Sequence, residues 1–177
     1  MKKVLIFIFC VSLLNNIFAQ NWKPVTAGVN FKMKMLGTNV NGNFKGFSGT
    51  LKFDPNDLVN SNLNGTVDAT TVDTDNNLRN RHIREKEEFF NVAKYPKVKM
   101  KTTRIEKDGN NYVGYFDLTM KEITKNVKIP IIFKQEGDKA TFQGSTVINR
   151  RDWKVGGGTF GMGDNVTFTI TVNAVKE

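Results

Sequence analysis

His82 is the single histidine and Cys10 the single cysteine among 177 residues, so metal sites and thiol chemistry that need several such ligands have almost nothing to build on. His82 has Asp and Glu neighbours, and serines and threonines are plentiful elsewhere. That makes it the one candidate general base in the chain. No nucleophile elbow accompanies it, and a lone histidine in a charged helical stretch ordinarily orients a neighbour. Asp73, Asp75 and Asn77 have the spacing of the first three ligands of a calcium loop. Leu78 stands where the sharp-turn glycine belongs and Arg84 where the closing glutamate belongs, so the segment is read as a helix-entry turn. Gly156-Gly157-Gly158-Thr159-Phe160-Gly161 spells a dinucleotide fingerprint. A strand pattern follows it where a helix must receive the pyrophosphate, and a flexible hairpin loop is the reading preferred. No cofactor, no metal and no catalytic group is therefore expected.

Charge carries the next exclusion. Lys and Arg number 26 against 17 Asp and Glu, a formal charge of +9. The lysines at 32, 34, 52, 97, 99 and 101 alternate with apolar residues along strand-like runs instead of gathering with interleaved aromatics, which argues against nucleic acid. They form a solubilising face suited to peripheral contact with an anionic membrane surface. The same lysines oppose an outer-membrane barrel, whose outward face must be apolar.

The elements that would position any site are read from period. Lys2 and Lys3, the apolar run from Val4 to Leu14, and Ile17-Phe18-Ala19 have the three-part grammar of a signal peptide cleaved after Ala19. A run of eleven residues is too short to span a bilayer. Residues 1–19 are thus a leader, residues 20–177 one domain, and the expected location periplasmic or secreted. Removal of Cys10 leaves that domain without a cysteine. Alternation with a period of two then marks strands around 29–35, 47–53, 63–69, 98–102, 112–120, 127–133, 140–148 and 166–174. Phe44 is out of phase with Phe47, Leu51 and Phe53, and Gly46 can supply the bulge. Only residues 76–92 read differently, as a short helical insertion closed by Tyr95-Pro96. Eight or more amphipathic antiparallel strands make a sandwich or a closed barrel, and a barrel of this size is filled by side chains or holds one small ligand.

Three ordered motifs carry a resemblance. Arg79, His82, Phe89, Phe90, Tyr95 and Pro96 within residues 67–103 match the signature region of the YceI-like family, with Asn80 where an aspartate is usual. Phe116 to Lys125 resembles the family's strand-and-turn segment, with Lys121-Glu122 in place of His-Gly, and TVINRRDW at 146–153 resembles a third motif. The resemblance implies a lipocalin-like antiparallel β-barrel of exported bacterial proteins that bind polyisoprenoid or similar long-chain amphiphilic lipid within the barrel. An all-β chain, a barrel with a short helical insertion, is the fold expected. On the inward stripes, Phe31, Met33, Phe53, Met100, Phe116, Leu118, Phe133, Phe142 and Phe168 are the expected apolar lining. Arg79, His82, Lys121 and Arg150 are the expected polar mouth. The function expected is carriage of such a lipid, without chemistry. The alternatives are a filled-barrel interaction or stress-response module and a lipid-directed enzyme using His82. Periodicity leaves hollow and filled barrels undistinguished, and oligomeric state open.

Overall fold

A computed structural model describes residues 19–177. Apart from Ala19, the expected signal segment lies outside the described residues. Nine antiparallel strands run in chain order: β1 (Asn21–Met35), β2 (Thr38–Phe44), β3 (Ser48–Lys52), β4 (Asn62–Asp68), β5 (Lys97–Asp108), β6 (Asn111–Met120), β7 (Ile123–Glu136), β8 (Lys139–Asn149) and β9 (Met162–Lys176). From β3 onward each strand pairs with the next, and β9 pairs back on β1 to close the sheet. Strands β2 and β3 both lie against β1 in one register, with Phe44 opposite Val29 and Leu51 opposite Trp22. They are two halves of a single interrupted strand, so the molecule is a closed eight-stranded barrel.

The interruption has a local cause. β1 carries a bulge against β9 between Pro24 and Thr26. At the same height Gly46 takes a positive φ of 66°, which lets Phe44 and Phe47 both face the interior although they are three residues apart. With both strands irregular at one level, residues 23–28 and 45–50 form no ladder with each other. The bulge foreseen at Gly46 is therefore a break. The Lys45 backbone turns away and exchanges hydrogen bonds with the Thr71 hydroxyl, its N–H donating at 2.8 Å and its carbonyl accepting at 3.0 Å. Ala27 and Gly49, which face inward beside the break, are exposed.

The two ends of the barrel differ. One is plugged by Trp22, Phe53, Tyr112, Phe133 and Phe142, whose tightest ring pair, Phe53–Phe133, has centroids 4.7 Å apart. The Trp22 indole N–H donates to the Phe53 carbonyl, which satisfies the one polar atom that this tryptophan buries. The other end is the mouth, crossed by the β4–β5 connection and the β8–β9 loop. In that connection lies α1 (Asn77–Glu85), capped by the Asn76 side chain accepting from the Arg79 N–H at 2.9 Å. The helical insertion expected over 76–92 is thus a helix of nine residues followed by turns. Phe90, buried below it, meets Phe44 edge-on at 5.7 Å.

Candidate functional site

Inward side chains leave three small apolar cavities stacked along the barrel, followed by a larger groove at the mouth. The lowest, about 50 Å³, lies above the aromatic plug between Leu51, Phe116 and Phe142. Phe47, Gly65, Met100, Ile129 and Ile170 form walls of both this cavity and the next, of about 70 Å³. Phe44, Met120, Ile148 and Phe168 divide that one from the third, about 60 Å³, which is roofed by Ile83, Phe89 and Phe90. Phe31, Met33, Ile83, Phe89 and Met162 connect the third to the mouth groove of about 340 Å³. The path from mouth to plug is continuous in its walls and narrow throughout. Flexible methionines and rotatable phenylalanines form its partitions, the side chains best able to re-pack around an irregular apolar guest.

The nine apolar residues singled out from sequence separate into two groups. Phe31, Met33, Met100, Phe116, Leu118, Phe142 and Phe168 wall one or more of these spaces. Phe53 and Phe133 belong to the plug, Phe53 being fully buried, and they wall none of the four. The sequence reading passed over Ile129, Ile148 and Ile170, although they sit on the same alternating stripes. It also passed over Phe44 and Phe47, whose inward orientation depends on the break at Gly46.

The four polar residues expected at the mouth do different things. Arg79 and His82, from α1, line the groove with Lys86, Glu88 and Thr159. The Arg79 guanidinium is aimed by Thr74, donating from Nε to its hydroxyl at 2.9 Å and from an Nη to its carbonyl at 3.1 Å. Thr74 is itself fixed, because its N–H and hydroxyl both donate to the buried Asn80 side-chain carbonyl. The Asn80 amide then donates to Asp73 at 2.9 Å. This hydrogen bond and the Asp75 N–H hold the Asp73 carboxyl below its ordinary range. An aspartate at position 80 would instead oppose Asp73, which accounts for the asparagine here. The His82 imidazole makes no hydrogen bond to another described residue.

Lys121 and Arg150 are engaged with the protein's own backbone. The Lys121 ammonium donates to the Glu87 carbonyl at 2.6 Å and the Lys154 carbonyl at 3.2 Å, tying the segment after α1 to the β8–β9 loop. Burial pushes its pKa down, against the pull of Glu87 and Glu88. Arg150 is 2% exposed, and burial likewise lowers its pKa while Asp164 opposes the shift. Its Nε donates to the Gly163 carbonyl, one Nη to the Val155 and Gly157 carbonyls, and the other to the Met162 carbonyl and the Asp164 carboxylate. Every donor of the guanidinium fork is satisfied. The glycine-rich segment expected as a flexible loop is held from within by this side chain, a role that depends on folding and leaves no local sequence signal.

What the arrangement can do chemically is limited and definite. It offers a mostly apolar path whose charged wall residues are Arg150 at the third cavity and Lys99 at the middle one, and, at the entrance, an oriented guanidinium and an imidazole. A family model described as a YceI-like domain matches residues 21–174. Protein YceI of Escherichia coli O6:H1 is 30% identical, with 100% of both chains covered. The crystal structure of Burkholderia cenocepacia BcnA superposes with a TM-score of 0.80 at 27% identity, covering 84% of this chain and 96% of that one. A polyisoprenoid-binding domain from Saccharophagus degradans superposes with a TM-score of 0.70 at 12% identity, covering 91% of this chain and all of that domain.

Proposed function

The chain belongs to the YceI-like domain family, and from that premise we propose that it is an exported carrier, periplasmic or secreted, of a polyisoprenoid or similar long-chain amphiphilic lipid. The observation that carries the reading is the run of apolar cavities sharing walls from the mouth groove down to the aromatic plug. A tail entering it is rewarded by apolar burial at about 0.8 kcal/mol per CH₂. The head remains at the groove beside Arg79 and His82. The fold neighbour described as binding polyisoprenoid fits the same ligand class, at an identity that speaks for the fold alone. Export rests on the leader grammar of residues 1–19. The outward lysines suit peripheral contact with an anionic membrane surface.

Native mass spectrometry of the purified protein, followed by solvent extraction and lipid analysis, tests this. A stoichiometric adduct released by solvent is expected. A bare polypeptide mass that persists after incubation with polyprenols, isoprenoid quinones and fatty acids refutes the carrier and favours the filled-barrel interaction module.

A further inference from the structure

Three large apolar side chains stand in water around the mouth: Phe160 at 88% exposure, Leu36 at 66% and Leu78 at 55%. Single exposed apolar residues are ordinary; three around one opening are a patch. Phe160 is at the tip of the loop that Arg150 pins from within, so its exposure is imposed by a built support. Leu36 lies in the β1–β2 hairpin, where its N–H donates to the Gly161 carbonyl at 2.7 Å and its side chain rests on Gly161. The two tips are therefore joined. Leu36 also has a positive φ of 49°, followed by Gly37 at 79°, a turn for which asparagine or glycine is the preferred first residue. A leucine there costs the fold backbone strain and exposes apolar surface, and the fold gains little from it. Leu78 lies on α1, on the groove wall that also includes Thr159, the neighbour of Phe160.

We propose that this rim is a bilayer-docking surface: Phe160 and Leu36 insert among lipid headgroups and turn the mouth onto the membrane. The proposal rests on the lipid-carrier reading, because what makes a bilayer the fitting partner is continuity. The exposed rim continues along one wall of the groove through Met35, Met33 and Phe31 into the apolar path, so a tail can cross from bilayer to barrel along apolar side chains while its head faces Arg79 and His82 on the other wall. Lys154 and Arg81, exposed at the same end, can meet anionic headgroups. Contact through the lysines on the barrel side would leave the mouth in water.

The test is co-sedimentation with vesicles of phosphatidylcholine and phosphatidylglycerol. The wild type is expected to sediment with them, and Phe160→Ser combined with Leu36→Asn to partition about tenfold less or weaker. That double variant should melt no lower than wild type, since Leu36→Asn relieves the turn, and it should still take up lipid presented in detergent. Phe160→Trp adds a reporter, because Trp22 and Trp153 are buried at 3% and 2% exposure. Its emission is expected to shift to the blue on adding vesicles and to be quenched by brominated lipid. Equal sedimentation of the double variant and wild type, absence of wild-type binding, or an unshifted emission from the Phe160→Trp variant overturns the docking surface. Self-association that the double variant abolishes, with no vesicle binding, overturns it in favour of a dimer through the mouth. Failure of every variant to take up detergent-presented lipid counts against the carrier reading instead.

Discussion

Under the carrier reading, how far a tail descends can be measured by removing Phe47. Its ring lies across the glycine pair Gly49 and Gly65, where a Cβ on either would come within 2.9 Å of it, and it separates the lowest cavity from the middle one. Replacement of a fully buried phenylalanine by alanine costs about 3–5 kcal/mol. Phe47 is half-buried, so about 2–3 kcal/mol is expected for Phe47→Ala in the empty protein. At roughly 2–4 °C per kcal/mol for a domain of this size, Tm falls by about 5–10 °C. The vacated space joins the two cavities and can accept a five-carbon isoprene unit, worth up to about 4 kcal/mol if wholly buried. Even partial filling tightens polyprenol binding by about tenfold, equivalent to about 1.4 kcal/mol. Thermal melts of wild type and variant, each with and without saturating polyprenol, close the cycle. The ligand should raise the variant's Tm more than it raises the wild type's. A Tm deficit that is the same in both conditions refutes the reasoning, because the tail then never reaches Phe47.

Three further outcomes are expected. Lys121 and Glu122 have φ of 50° and 63° in the two-residue turn between β6 and β7, where non-glycine residues pay about 1–2 kcal/mol each; Glu122→Gly should raise stability by about 1 kcal/mol in urea unfolding. The Asp68 and Asp73 carboxyls are held low, Asp68 chiefly by Thr70 and Asp73 chiefly by Asn80. Their stabilisation is present above the unfolded carboxyl value of about 3.9 and is lost as pH falls through the lower folded values. Acid unfolding of Asp68→Asn with Asp73→Asn should therefore depend less steeply on pH below that point than wild type, and an unchanged slope contradicts the assignment. Arg150→Met leaves four carbonyls of the β8–β9 loop and the start of β9 without their donor, and should cost about 2–4 kcal/mol and open residues 155–163 to limited proteolysis, while Arg151→Met, at an exposed pair with Asp164, should not.

Much of the barrel could be read in advance because its strands keep an unbroken register: Tyr112 to Met120 pairs with β7 and Val166 to Ala174 with β8 without a bulge, so every second residue falls on the inward stripe. β2 escaped because Thr38–Phe44 is rich in asparagine, and its inward face, Thr38, Val40, Gly42 and Phe44, holds just two large apolar residues. The first half of β1 escaped because the bulge at Val25 reverses the phase between Trp22 and Val29. At the site, the groove positions of Arg79 and His82 followed from motif residues that are close in sequence and share one helix. Arg150 did not, since what it binds is chosen by the path of a loop. Phe53 and Phe133 look identical to lining residues in a list of inward positions. Only the height at which a strand crosses the barrel separates plug from bore, and periodicity carries no height.

The break between residues 23–28 and 45–50 also bears on capacity. In a sheet hydrogen-bonded all the way round, strand number and stagger fix the girth, and a guest larger than the voids must tear a ladder to enter. Here one seam is already open, and its inward positions are the small Ala27 and Gly49. Spreading confined to that line breaks no ladder between the two strands, while the pairs Val29–Phe44 and Trp22–Leu51 hold its two ends. Under the carrier reading, that open seam is the place where cavities of about 50–70 Å³ can widen for tails of different thickness without a ladder being torn.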